Sequence, residues 1–155
     1  MKLKVIVLTL AVLLAGLGLV ASADDPNMGT WKLNEAKSHF AKGATKNRTV
    51  VYEMSGDQVK VTVDGTDADG NSVHNEWTGK FDGKYYAVTG DPMSDMRSYT
   101  RINSRTLALR AKKTGKVTLT GRITVSRNGK TRTVTTTGKN AKGKWVTNTA
   151  VYDKQ

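Results

Sequence analysis

Short runs in which apolar and polar residues alternate fill most of the chain after Gly29. In one such run Val59, Val61 and Val63 share a face, and Lys60 and Thr62 lie on the other. This period of two predicts a β-strand with one buried face. Similar stripes occur at Val73/Asn75/Trp77/Gly79/Phe81, at Leu107/Leu109/Ala111 and at Val117/Leu119/Gly121/Ile123/Val125.

Turn residues separate these runs every 8 to 12 positions. The breaks include the pairs Gly56-Asp57, Asp69-Gly70, Asp82-Gly83, Asn128-Gly129 and Lys142-Gly143. Such pairs supply the positive φ of tight hairpins, a pattern typical of a meander, sandwich or barrel. Only the stretch 34–40 reads as helical, with Asn34 as its N-cap. We predict an all-β, antiparallel up-and-down meander barrel of about 8–10 strands, with one short helix near the N-terminus.

The chain contains a weak internal sequence repeat at an offset of 73 residues. Gly56, Gly70 and Val73 match Gly129, Gly143 and Val146, and Val61-Thr62 matches Val134-Thr135. Residues 48–83 and 121–154 therefore read as two copies of one three-strand unit. The alternative is that any two glycine-punctuated hairpins look alike.

Residues 1–23 have the layout of a signal peptide. Lys2 and Lys4 precede an apolar run that ends in Ala21-Ser22-Ala23, the small-residue pattern of a cleavage site. The alternative is an uncleaved anchor, since the run approaches the roughly 18 residues that span a bilayer. We predict a signal peptide at 1–23 and one barrel domain at 24–155. The chain has no cysteine, which fits a bacterial periplasmic or secreted protein that is stable without disulfides.

Charge is distributed unevenly along the sequence. The formal net charge is +12. Residues 24–95 contain 12 acidic and 8 basic residues, whereas residues 96–152 contain 14 Lys and Arg and no Asp or Glu. Cross-strand ion pairs consume part of this excess. The remaining basic surface favours contact with a polyanion.

Trp31 follows Gly29-Thr30 on the first predicted strand. This Gly-x-Trp resembles the opening motif of lipocalins and their calycin relatives, in which the Trp plugs the closed end of the barrel. The resemblance implies a ligand-binding barrel and an Arg packed across Trp31, for which Arg132 is the candidate. The chain departs from lipocalins in lacking a disulfide and a C-terminal helix. The run from Gly29 to Phe40 and the ending 150–155 also resemble a group of uncharacterised exported bacterial proteins.

Arg97, Tyr99 and Arg101 share one strand face. A guanidinium fork with a hydroxyl donor can hold a carboxylate or phosphate, so an inward orientation would suit an anionic amphiphile. An outward orientation would leave solvated basic residues and place Met96, Ser98, Thr100 and Ile102 inside. Because charged residues are seldom buried unpaired, we expect the outward orientation.

Trp145 lies beside Lys142 and Lys144, which precede it. An exposed Trp beside Lys suits binding of glycans, lipid headgroups or nucleic acid. The alternative is that Trp145 covers one end of the barrel. The internal repeat aligns Trp145 with Ser72 and places Trp145 on the outer face.

Motifs for metal, nucleotide or nucleophilic chemistry are weak. Asp67-Ala68-Asp69-Gly70 with Glu76 approaches a calcium loop, but Gly65 stands where such a loop requires Asp, so we expect a hairpin turn. His39 and His74 do not have metal-ligand spacing, and no nucleophile or phosphate-loop motif occurs. We predict no metal, no cofactor and no catalytic residues, with an uncharacterised hydrolase as the alternative.

These observations predict a non-enzymatic envelope protein that binds a small hydrophobic or amphiphilic ligand inside the barrel. The residues expected to contact it are Trp31, Trp77, Arg97, Tyr99 and Arg101. The alternative is a basic surface-interaction protein that docks on an anionic envelope polymer or lipopolysaccharide through Lys142, Lys144 and Trp145. We expect no specific nucleic-acid partner.

Overall fold

A computed structural model describes residue 22 and residues 24–140 and 142–155 of the chain. Ten strands account for most of them. In chain order they are β1 (Gly29–Leu33), β2 (Lys46–Ser55), β3 (Gln58–Thr66), β4 (Ser72–Gly79), β5 (Tyr86–Thr89), β6 (Met96–Asn103), β7 (Thr106–Lys113), β8 (Lys116–Val125), β9 (Thr131–Lys139) and β10 (Trp145–Lys154).

The strands form one closed antiparallel barrel. Each strand pairs with its neighbours in sequence, and β1 closes the wall against β10, with Trp31 opposite Lys154. This up-and-down order confirms the predicted meander barrel at the upper end of the expected strand number. Closure leaves no sheet edge unpaired. The alternation of apolar and polar residues along the strands fits a wall with one buried face and one exposed face.

The predicted short helix is reduced to a single 3₁₀ turn, Glu35–Lys37. Asn34 caps it as expected, and its Oδ1 accepts a hydrogen bond from Lys37 N at 3.2 Å. The turn stops because the next residues pair with β10: His39 N donates to Thr149 O at 2.7 Å, and Thr149 N donates back at 2.8 Å. No α-helix occurs among the described residues.

The acidic stretch after β3 is a hairpin turn, as predicted. Asp67 Oδ1 accepts hydrogen bonds from the backbone N of Asp69 and Asn71, each at 2.9 Å, and Gly70 adopts a φ of 85°. The Asp67 carboxylate is thus engaged by the turn itself. No group of His, Asp and Glu in the described part of the chain is arranged to hold a metal ion.

The two copies of the predicted three-strand unit occupy corresponding places in the barrel. The first comprises β2, β3 and β4, and the second β8, β9 and β10. Gly56 and Gly129 lie in the first hairpin of each unit with φ of 63° and 70°, and Gly70 and Gly143 lie in the second.

The barrel has two different ends. The connections 56–57, 80–85, 104–105 and 126–130 meet at one end, together with residues 24–28, and we call this the closed end. The connections 34–45, 67–71, 90–95, 114–115 and 140–144 meet at the other, which we call the far end. Trp31, Tyr52, Trp77, Phe81, Tyr99, Leu107, Ile123, Val125 and Tyr152 belong to one buried cluster.

Burial of the inward-facing residues falls along β8, β9 and β10 towards the far end. On β8, Val125 and Ile123 are buried but Leu119 is only half-buried. On β9, Arg132 is buried and Val134 is half-buried. Ala150 and Val146 show the same gradient on β10. The closed end is packed with side chains, and this side of the wall loses its cover towards the far end.

The expected outward orientation of Arg97, Tyr99 and Arg101 is wrong. All three point into the barrel, and Ser98, Thr100 and Ile102 point outward or towards neighbouring strands. In the ladder with β7, Tyr99 lies opposite Leu109 and Arg101 opposite Leu107, which belong to or pack on the buried core. The expectation failed because the two arginines are not buried unpaired: Asp91 pairs with Arg97, and Asp25 pairs with Arg101.

The predicted signal peptide, residues 1–23, lies outside the described residues apart from Ser22. Its cleavage therefore stays a prediction. No helix in the described part of the chain has the length and apolar character needed to cross a bilayer.

Candidate functional site

Trp31 is fully buried at the closed end, where it fills the barrel axis. Its indole Nε1 donates to Asn27 O at 3.0 Å. The Arg132 guanidinium lies 5.0 Å from the Trp31 ring centroid, so Arg132 is the residue that packs across this Trp, as the lipocalin resemblance predicts. Trp31 thus acts as a plug.

Arg132 is stabilised chiefly by aromatic faces. Its guanidinium lies 4.9 Å from the ring centroids of both Tyr52 and Tyr152. Its Nε and Nη1 are buried and make no hydrogen bond to any described residue. Cation–π attraction strengthens when the cation is desolvated, which compensates for part of the lost hydration. Burial raises the pKa of Tyr152 to about 12, although the Arg132 charge opposes the shift.

Residues 24–28 close the barrel beneath this plug. Asp25 and Arg101 form an ion pair whose side chains are both almost completely buried, and Arg101 also lies 5.2 Å from the Phe81 ring centroid. Asp25 Oδ1 additionally accepts hydrogen bonds from Asn27 N and Nδ2 at 2.9 and 2.8 Å. Arg101 is therefore committed to holding the N-terminal segment in place.

Trp77, Tyr99 and Arg97 lie together in the middle of the barrel. The Trp77 indole donates to Arg97 O at 3.0 Å, and its ring centroid is 4.7 Å from that of Tyr99. Arg97 Nη2 donates to Asn75 Oδ1 at 3.2 Å and to Asp91 Oδ2 at 3.1 Å. The Arg97 charge is thus paired with an internal carboxylate, and the same Nη2 also binds an amide oxygen.

The five residues predicted to contact a ligand are accordingly part of the packed interior. The structure brings Trp77, Arg97 and Tyr99 together and places Trp31 and Arg101 nearer the closed end. Their aromatic rings pack on one another, and their charges have internal partners. In this arrangement they stabilise the barrel.

The basic half of the sequence is different. Of its 14 Lys and Arg, Arg97 and Arg101 pair internally and Arg132 is buried among the aromatic rings. The other eleven make no ion pair with any described residue: Arg105, Arg110, Lys112, Lys113, Lys116, Arg122, Arg127, Lys130, Lys139, Lys142 and Lys144. We call this surface the basic wall.

A shallow groove of about 790 Å³ runs over the outside of β7, β8 and β9 within the basic wall. Ala108, Gly121, Arg110 and Arg122 are among the residues that line it. Since Arg110 pairs with Thr120 and Arg122 with Ala108, the two arginines are diagonal neighbours on adjacent strands. Its remaining side chains are mostly threonines: Thr120, Thr124, Thr133, Thr135 and Thr137.

Of the eight Lys and Arg in residues 24–95, four have acidic partners among the described residues. Glu35 binds Lys46 at 2.7 Å and Arg48 at 2.6 Å, beside a second groove of about 540 Å³. Both basic side chains lower the pKa of Glu35. On β3 and β4, Lys60 binds Glu76 at 3.0 Å. The two halves of the sequence therefore differ in free positive charge more than in the number of cations.

Trp145 begins β10 at the far end and is 53% exposed, on the outer face as predicted. Lys139 on the neighbouring strand places its Nζ 5.7 Å from the Trp145 ring centroid. Lys142 and Lys144 precede Trp145 and are exposed. The three residues predicted for the polyanion surface thus lie together in one exposed region.

Sequence reasoning did not identify four of the residues that matter here. Asp25 and Asp91 neutralise the buried arginines, and Arg110 and Arg122 border the groove. The acidic partners lie 76 and 6 positions away from their arginines. The alternation along β7 and β8 places Arg110 and Arg122 on the outward face. This was the only sequence signal that could have indicated a shared surface.

No protein-family model matches this chain, and no curated protein is similar to it in sequence. A solved structure described as EF1p2_mFAP2b bound to DFHBI resembles it with 12% sequence identity and a TM-score of 0.48. That match covers 86% of this chain and 97% of the other. At this level of similarity nothing about a ligand transfers to this chain.

Proposed function

We propose that this chain is a non-enzymatic protein of the bacterial envelope that binds a linear anionic polymer or lipopolysaccharide through its basic wall. The supporting observation is that eleven of the 14 Lys and Arg in residues 96–152 have no acidic partner among the described residues. Unpaired cations on one surface attract polyanions through counterion release, which requires no deep pocket.

The groove between Arg110 and Arg122 is the proposed centre of this surface. Arg guanidinium groups bind phosphate or carboxylate oxygens in pairs, and the surrounding Thr hydroxyls add hydrogen-bond donors. Diagonal positions on adjacent strands separate the two side chains by about 7–8 Å, which suits contact with separate charged groups of one polymer. Lys139, Lys142 and Lys144 extend the positive surface towards the far end.

Salt dependence tests this proposal. With inorganic polyphosphate as probe, we expect the dissociation constant to rise by at least about tenfold between 50 and 200 mM NaCl. The variant Arg110→Glu with Arg122→Glu should lose most of the binding. A matched control, Lys32→Glu with Lys84→Glu, makes the same change in net charge on exposed cations outside the basic wall. Equal losses in the two variants, or binding that ignores salt, would contradict the proposal.

A second candidate function is binding of an amphiphile at the far end of the barrel. The observation in its favour is that Leu119, Val134 and Val146 face inward but are only half-buried. Apolar surface left uncovered on a concave wall can bind an alkyl chain.

Calorimetric titration with lauric acid tests this second candidate. Val134→Phe should fill the space and reduce binding strongly, whereas Val151→Phe on the outer face of the same barrel should not. Binding should change little with salt, because burial of apolar surface is its main driving force. Equal affinity in both variants would rule the far end out as the site.

A further inference from the structure

The rim at the far end carries apolar residues on both faces of the wall. Val117 lies near the start of β8 and Trp145 at the start of β10, and they are 39% and 53% exposed. On the inner face, Leu119 and Val146 both pair with Gly138 and are half-buried. We call Val117, Leu119, Trp145 and Val146 the apolar lip.

Leu119 and Val146 belong to neither the buried core nor the half-buried residues that pack on it. Between them Gly138 contributes no side chain, and Leu119 covers it so closely that an added Cβ would lie 3.3 Å from the Leu119 Cβ. An edge that is apolar on both faces cannot be covered by the barrel itself. Such an exposed apolar patch marks an interaction surface.

Positive charge surrounds the lip. Lys116 precedes Val117, Lys139 lies beside the Trp145 ring, and Lys142 and Lys144 occupy the connection before Trp145. All four lysines are exposed, and the sequence has no acidic residue between 96 and 152. A partner for this edge must therefore offer both an apolar layer and negative charge.

We propose that the apolar lip inserts into the surface of an anionic lipid bilayer, with the surrounding lysines on the headgroups. Trp is suited to this position because its ring is apolar and its N–H can reach polar groups. Lys side chains bury their stems along apolar surface and keep the ammonium in water, as at membrane interfaces. A soluble polyanion matches the lysines but leaves the lip uncovered. This inference goes beyond the proposed function, because polymer binding through the basic wall does not require the lip.

The three tryptophans provide the measurement. Trp31 and Trp77 are 0% and 1% exposed, so a change in tryptophan emission on adding vesicles reports Trp145. We expect a blue shift with vesicles of equal phosphatidylcholine and phosphatidylglycerol, and none with phosphatidylcholine alone. Lipids brominated on the upper acyl chain should quench the same emission.

Variants distinguish insertion from charge attraction. Val117→Thr with Trp145→Thr leaves the net charge unchanged and should lower partition into the anionic vesicles at least tenfold in a sedimentation assay. Ile102→Thr is the matched control, because Ile102 is 50% exposed at the closed end. Its partition should equal that of the wild type. All three substituted side chains are exposed, and circular dichroism verifies the fold.

Two results would overturn the inference. Wild-type protein that binds polyphosphate but ignores anionic vesicles would refute membrane docking and leave the proposed function intact. Undiminished partition of the Val117/Trp145 variant would show that charge alone attracts the protein to lipid. Conversely, vesicle binding without polyphosphate binding would support the lip and refute the proposed function.

Discussion

The two ends of the barrel use the same strands in different ways. At the closed end Trp31, Arg132 and Tyr152 are buried against one another, and Asp25 binds Arg101 from the N-terminal segment. At the far end the inward residues Leu119 on β8 and Val146 on β10 are half-buried, and Val117, Trp145 and the nearby lysines are exposed. The alternation of apolar and polar residues is similar at both ends. Only at the closed end are the inward-facing residues covered, by one another and by the N-terminal segment.

This difference indicates where stability and interaction reside. Buried aromatic area and a desolvated ion pair hold the closed end together, so substitutions there affect folding. Uncovered apolar and cationic side chains at the far end contribute little to folding and remain free for a partner. Four experiments follow, in order of decreasing expected effect.

Trp31→Ala should have the largest effect on stability. Removing a fully buried indole leaves a cavity that costs about 3–5 kcal/mol in the free energy of unfolding and releases Arg132 from one ring. Urea denaturation followed by circular dichroism measures the loss. A change smaller than that of a surface substitution would show that the closed end is not the centre of stability.

Asp25→Asn comes next. It leaves the Arg101 guanidinium buried without its counter-charge, and breaking a buried pair costs about 3 kcal/mol. Adding Arg101→Met should restore part of the stability, which a double-mutant cycle detects as a coupling energy. Asp57→Asn, which breaks an exposed pair with Lys80, is the control and should change stability little. Purely additive effects of Asp25 and Arg101 would contradict the pairing.

Ile123→Ala and Leu119→Ala compare the two ends on one face of one strand. Ile123 is buried, so its truncation should cost about 2–4 kcal/mol. Leu119 is half-buried and outside the core, so the cost should stay below about 1 kcal/mol. Equal destabilisation would mean that the far end is packed as tightly as the closed end.

The smallest effect is expected from His74. Its hydrogen bond to Asp64, with Glu76 nearby, raises its pKa above 6.5. The paired, charged form therefore adds stability that is complete below pH 6.5 and is lost as pH rises through the folded-state pKa. The melting temperature should fall slightly between pH 6 and pH 8, and His74→Gln should reduce that fall.

Several features could be predicted from residues close together in the sequence. Alternation with a period of two identified the strands, and the Asn-Gly and Asp-Gly pairs identified turns such as those at Gly70 and Gly129. The Asn34 cap and the outward position of Trp145 followed from local pattern as well. The surplus of positive charge after residue 96 needed only the order of the residues.

The tertiary structure decided which side of β6 faces inward and which charges are neutralised. Arg97, Tyr99 and Arg101 face inward and not outward, and alternation alone does not encode which of the two faces of a strand lies inside the barrel. Asp25 and Asp91 made that burial possible by pairing with arginines from other parts of the fold. The contrast between the packed end and the exposed lip likewise depends on what lies across the barrel, because burial is a property of the assembled wall and not of any single strand.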